Sequence, residues 1–154
     1  MSNPFVYYRK ESLNDLKRDL SCSVSDLDWH TDLTAIRKFY AQFNNQVDPD
    51  EFGTYVGNPL AIIHDGDIVC FAIPLSFREG ETEIGGVATV PDQRNKGYCR
   101  ALISEMAFRI LNRGNTATLT TEKTNHPMQK AAEAIGMKQL DVNDGAGKET
   151  DDKY

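Results

Sequence analysis

The segment from Glu83 to Ile110 constrains this chain more than any other. A β-rich run, Glu83 to Val90, contains Gly85 and Gly86 and is interrupted by Pro91-Asp92-Gln93-Arg94-Asn95-Lys96-Gly97. Beyond it, Cys99, Leu102, Ile103, Met106, Ala107 and Ile110 trace one face of a helix, with Arg100, Glu105 and Arg109 on the other and Arg113-Gly114 as its stop. Strand, turn and helix therefore follow one another directly. Glycine inside a strand marks a place where a backbone or a ligand comes close. The first N–H groups of a helix have no acceptor within it, and the helix dipole places about half a positive charge there. Gly97 lets a bulky phosphate approach without meeting a side chain, Lys96 and Arg100 add charge at the rim, and Arg94 and Asn95 sit in the turn. The segment is an anion site by construction.

The rest of the chain divides around this segment. Ser12 caps an expected short helix carrying Leu13, Leu16 and Leu20 on one face. Trp29, Leu33, Ile36, Tyr40 and Phe43 form the stripe of a second helix, beginning near Thr31 or Asp32 and stopping by Asn44-Asn45. Asp48-Pro49-Asp50-Glu51 starts a third, with Phe52, Tyr55 and Val56 as its buried side and Gly57-Asn58-Pro59 as its end. Leu60 to His64 and Ile68 to Phe77 form a hairpin about Asp65-Gly66-Asp67, in which Pro74 implies a bulge or an edge. After the central helix come a β-branched strand, Thr116 to Thr121, a helix from Asn125-His126-Pro127 to about Ile135, and a strand from Met137 to Val142. Residues 143–154 are a polar tail and residues 1–28 an N-terminal extension of a single domain spanning 1–154.

Composition narrows the function classes. With 154 residues, 40% of them hydrophobic and 26% charged, the chain is one soluble globular domain. No stretch has the length of an apolar membrane span and the first residues have no apolar signal core, so no membrane association and a cytoplasmic location are expected. A net charge of −6 argues against nucleic acid as a partner. Cys22, Cys70 and Cys99 form no C-x-x-C pair, and His30, His64 and His126 are isolated, so no metal is expected.

The central segment is neither a Walker A loop nor a G-x-G-x-x-G turn. Residues Val87 to Leu102, with Arg94-x-x-Gly97-x-Cys99 at their centre, resemble the central motif of the GNAT superfamily of acyl-CoA-dependent N-acetyltransferases. Asn125, opening a helix that ends in Ala134-Ile135-Gly136-Met137, resembles the second motif of that family. The resemblance implies an α/β (α+β) fold with a mixed, mainly antiparallel central sheet flanked by helices. The family usually ends with two antiparallel strands, so the last one here is short, missing or supplied by a partner chain, and a homodimer would cover such an edge. It also implies acetyl-CoA as cosubstrate, with backbone groups of Val87, Ala88 and Thr89 meeting the pantetheine arm, Asn95, Lys96, Gly97, Tyr98, Cys99 and Arg100 cradling the pyrophosphate with Arg94, and Asn125 orienting the thiol end. Cys99 stands where the family has Gly or Ala.

Transfer to an amine needs a base, because an alkyl ammonium is only about one part in a thousand neutral at pH 7. Glu83 shares strand parity with Gly85, Val87 and Thr89 and resembles the general base of the histone-acetyltransferase branch; the alternative is a solvated charge near a hairpin end. Many family members place a tyrosine, as proton donor, where this chain has Ala132, so the general acid is unassigned. Tyr98 lies beside the pyrophosphate, and Tyr40 and Tyr55 read as core or pocket-wall aromatics. The acceptor is a primary amine of a small molecule or a peptide. An acyl-CoA-binding module without useful turnover is the competing reading.

Overall fold

The computed structural model describes residues 3–43 and 56–140. Seven strands form one sheet in the order β2-β3-β4-β5-β6-β1-β7, made of β1 (Phe5–Lys10), β2 (Ser25–Asp26), β3 (Leu60–His64), β4 (Asp67–Leu75), β5 (Glu81–Thr89), β6 (Thr116–Glu122) and β7 (Lys138–Gln139). Every neighbouring pair is antiparallel except β5 and β6, which run parallel. The crossover between those two is helix α2 (Tyr98–Asn112), as a parallel connection requires. The other α-helices among the described residues are α1 (Leu33–Ala41) and α3 (His126–Ala134).

Alternation along the strands feeds two cores, one on each side of the sheet. On one side Leu60, Ile62, Cys70, Ala72 and Ile84 pack with Leu102, Ile103, Met106 and Ile110 of α2 and with Ala132 and Ile135 at α3. On the other, Ala61, Ile68, Phe71 and Ile73 pack under Ile36, Phe39 and Tyr40 of α1, with Trp29 just ahead of the helix. The expected hairpin, central helix, β-branched strand and last helix all form where the sequence places them. Pro74 is buried in β4, beyond the last β3 pair, Leu60↔Ala72, so it stands at a locally open edge where no ladder bond to β3 is lost. The expected helix at Asp48 and the strand and tail from 141 onward lie outside the described residues.

Residues 5–10, within the expected N-terminal extension, form strand β1, lying between β6 and β7, with Val6 and Tyr8 buried in the α2-side core. β1 fills the place beside β6, and β7 covers it in turn at Tyr8↔Gln139 and Arg9↔Lys138. The helix expected from Ser12 does not form. Asp15 takes a positive φ of 63°, and the following N–H groups go to distant partners: Lys17 N–H to the Ile135 carbonyl at 3.0 Å and Asp19 N–H to Ser104 Oγ at 2.9 Å. Of its three leucines only Leu16 packs on the core, while Leu20 is 72% exposed. Tertiary contacts override the local helical pattern. Among the described residues, no helix is long and apolar enough to cross a membrane.

Candidate functional site

β5 and β6 pair only at Glu81↔Thr116, Thr82↔Ala117 and Glu83↔Thr118, yet β5 runs on to Thr89 and β6 to Glu122. The two strands therefore part beyond Glu83. β6 is held through this stretch by β1, whose ladder continues to Phe5↔Glu122, so the parting does not fray β6. On the β4 side, pairing steps from Ile73↔Gly85 to Phe71↔Ala88, which leaves Gly86 and Val87 opposite Ala72 alone. This is a β-bulge, with Gly86 in the left-handed region at φ 58°. Its carbonyl accepts a hydrogen bond from the Tyr40 hydroxyl at 2.6 Å.

The bulge corrects the parity expected for β5. Glu83 and Gly85 share the α1 side with their partners Leu75 and Ile73, but the extra residue reverses the alternation. Val87 packs on the α2-side core, and Thr89 Oγ1 lies 3.2 Å from Cys70 Sγ on that same side. Glu83 is thus on the opposite side of the sheet from Val87 and Thr89. Its carboxylate, half-buried, accepts a hydrogen bond from Thr120 Oγ1 of β6 at 3.1 Å, across the point where the strands separate.

At the end of β5 a short 3₁₀ turn, Pro91–Gln93, leads to Asn95 at φ 64° and Gly97 at φ 81°, the residue that caps α2. The first intrahelical bond of α2 runs from Ala101 N–H to the Gly97 carbonyl at 3.1 Å, so the N–H groups of Tyr98, Cys99 and Arg100 have no acceptor within the helix. A Cβ on Gly97 would meet only the Arg100 guanidinium, at 3.4 Å. The approach to this helix end is therefore lined by a cation and not by backbone. The residues present fit a phosphate group.

The charged side chains of the turn are exposed and lean on it. Arg94 Nε donates to the Thr89 carbonyl at 3.1 Å, and Lys96 Nζ donates to Gln93 Oε1 at 2.9 Å. Arg100 Nε donates to Asp19 Oδ2 at 2.6 Å. Hydrogen bonds from Ser21 and then from Arg100 hold the Asp19 carboxyl down at about 2. Nothing in the sequence announces Asp19, which lies 81 positions from Arg100. Cys99 Sγ rests 3.8 Å from Met128 Sδ, bringing the first turns of α2 and α3 together, and burial pushes its thiol up to about 12.

Asn125 is the cap of α3, its Oδ1 accepting Met128 N–H at 3.2 Å. Ala132 is fully buried in the α2-side core. Ala132 offers no hydroxyl and is sealed by packing. Tyr98 is half-buried on the first turn of α2, while His30, His64 and His126 are exposed. The residues of β5, the turn, α2 and Asn125 come together around one parting of the sheet; Tyr55 lies outside the described residues.

Comparison with known proteins agrees with this geometry. The family model described as FR47-like protein matches residues 71–144, which span the bulge, the turn and both helices. A GNAT-family protein from Novosphingobium aromaticivorans superposes with a TM-score of 0.74 at 15% identity, over 88% of this chain and 59% of that one. The ribosomal-protein-S18-alanine N-acetyltransferase of Escherichia coli superposes with a TM-score of 0.60 at 22% identity, over 74% of this chain and 76% of that one. An aminoglycoside N-acetyltransferase solved in complex with CoA gives a TM-score of 0.62 at 19% identity, over 77% of this chain and 93% of that one. At these identities the likeness establishes the fold. No match was found among curated proteins.

Proposed function

We propose that the chain, whose fold is like that of GNAT-family proteins, is an acyl-CoA-dependent N-acyltransferase, moving an acetyl group from acetyl-CoA to a primary amine by direct attack in a ternary complex. The observation that carries this reading is the parting of β5 and β6 beyond Glu83, with the N-terminus of α2 at its mouth. Strands that separate expose backbone N–H and C=O groups that need partners, and an amide-bearing pantetheine arm has the chemistry to satisfy them.

Bound acetyl-CoA would supply an activated thioester. Val87, Ala88 and Thr89 hold the arm through their backbone, and the N–H groups of Tyr98, Cys99 and Arg100 hold the pyrophosphate with Arg94, Asn95, Lys96 and the open space over Gly97. Asn125, at the N-terminus of α3, lies toward the thiol end. Glu83 accepts the proton that an ammonium must lose before its nitrogen can attack. Thr120 orients the carboxylate by donating to it. The departing thiolate also needs a proton, and a buried alanine at residue 132 has none to give. That proton comes from another group or from water.

Calorimetry with acetyl-CoA, followed by a free-thiol assay over a panel of small amines and peptides, tests the proposal. Heat of binding and thiol release with at least one amine are expected. A chain that gives no heat with acetyl-CoA is not an acyltransferase of this kind. The buried Ala132 favours a second reading, an acyl-CoA-binding module with weak turnover. Tight binding with no thiol release across the panel would select it.

A further inference from the structure

The bulge at Gly86 is held from outside the sheet. Tyr40 stands on α1, 46 residues earlier in the chain, and is 7% exposed. Its ring is fixed by edge contacts with Phe39 and Phe71, at centroid distances of 5.1 and 5.3 Å, and lies 6.5 Å from that of Phe43. The hydroxyl so placed donates to the Gly86 carbonyl at 2.6 Å. Gly86 and the hydroxyl are fitted to each other, since a Cβ on Gly86 would come within 3.0 Å of the Tyr40 oxygen and 2.8 Å of Ile73 Cδ1. Burial raises the phenol well above its ordinary range, so it remains a donor at any pH the fold survives.

A phenylalanine would pack against the same three rings. What the hydroxyl adds is an orientation. In a planar trans peptide the C=O of one residue and the N–H of the next point in opposite directions. Drawing the Gly86 carbonyl toward α1 therefore turns the Val87 N–H away from α1. Val87 belongs to the stretch of β5 that has left β6, where its backbone is free of that ladder.

We infer that Tyr40 is a positioning residue for the acyl-CoA arm, its hydroxyl setting the Gly86–Val87 peptide so that the Val87 N–H faces the bound arm; this rests on the acyl-CoA reading of the site. The effect of Tyr40 is confined to the arm.

Tyr40→Phe removes one oxygen and keeps the aromatic packing. Acetyl-CoA and adenosine 3′,5′-bisphosphate, which carries phosphates but no pantetheine arm, are titrated by calorimetry into the wild type and the variant. Acetyl-CoA is expected to bind Tyr40→Phe about tenfold more weakly, the worth of one well-aligned hydrogen bond, with the bisphosphate unchanged. Equal acetyl-CoA affinity in both proteins overturns the inference and leaves the acyl-CoA reading standing. A parallel loss for both ligands also overturns it, because it makes Tyr40 a core residue only. A wild type that binds neither ligand removes the acyl-CoA reading, and the inference with it. Should Tyr40→Phe not fold, Gly86→Ala, which crowds the same hydroxyl from the other side, is measured with the same expectation.

Discussion

The two halves of β5 differ in who satisfies their backbone. From Glu81 to Ile84 the strand is held by β6 through three pairs, Glu81 to Glu83, and by β4 through Leu75↔Glu83 and Pro74↔Ile84, and both Thr82 and Ile84 are buried. From Gly85 to Thr89 it bulges against β4 and has no β6 partner at all. One strand thus passes from paired structural member to a stretch without a β6 partner within a few residues. Glu83 is the last residue of the first half, so the proposed base stands on rigid, fully paired backbone while facing the opening. The difference teaches where to expect stability effects and where to expect binding effects, and variants in each half should separate them.

Gly97→Val should act most strongly. The substitution places a β-branched side chain at φ 81° and blocks the approach to the α2 N-terminus. Loss of two or more charge-assisted N–H contacts to phosphate is expected to weaken acetyl-CoA binding by about a thousandfold in calorimetry. Undiminished affinity would detach the turn from the cofactor and break the comparison at its open end. Ile84→Ala probes the other half. Ile84 is 1% exposed under α2, and its truncation is expected to cost about 2–5 kcal/mol in denaturant unfolding. In the fraction that remains folded, acetyl-CoA affinity should be unchanged.

Glu83→Gln comes next, at the junction. If Glu83 takes the proton of the amine, kcat should fall about a hundredfold with little change in the KM for acetyl-CoA. Thiol release unaffected by the change would leave the fold and the cofactor site intact and remove the base. Gln keeps an oxygen to accept from Thr120, so a loss of stability is not expected to obscure the result.

How much of this was legible depended on distance along the chain. The strand, turn and helix from β5 to α2 are local patterns, and glycines, a proline and a period of 3.6 were enough to place them. Phe5-Val6-Tyr7-Tyr8 is a run of residues suited to a strand, but its place in the sheet depends on pairing with β6, far along the chain, which no local pattern announces. The helix expected at Ser12 failed for a related reason: its leucine spacing is a local signal, and contacts to Ser104 and Ile135, far along the chain, won. Parity along β5 was read correctly up to Gly85 and wrongly after it, because one extra residue reverses every later side chain and no sequence rule fixed where it would sit. Tyr40 and Asp19 could not be linked to Gly86 and Arg100 at all. Their meaning exists only once α1 and the residues around Asp19 have packed.

The smallest expected effect lies at that last contact. Asp19 fixes Arg100 through Nε, and the same guanidinium carries the group nearest Gly97. Its carboxyl is held at about 2, below the ordinary value near 3.9, so folding favours its charged form. The stabilisation is therefore fully present above about pH 4 and is lost as pH falls toward 2. Because the Arg100 side chain is half exposed, solvent screens the ion pair and its contribution is small. Thermal unfolding of the wild type and of Asp19→Asn, followed from pH 6 to pH 2, should show a small gap in Tm that closes on acidification. A gap that persists at pH 2 would assign the effect to the hydrogen bonds from Ser21, which asparagine can still accept in part, and not to charge. Calorimetry on the same variant sharpens the comparison of the two halves of β5: a few-fold weaker binding of acetyl-CoA would make the N-terminal residues part of the open end, and unchanged binding would leave Arg100 able to reach phosphate without them.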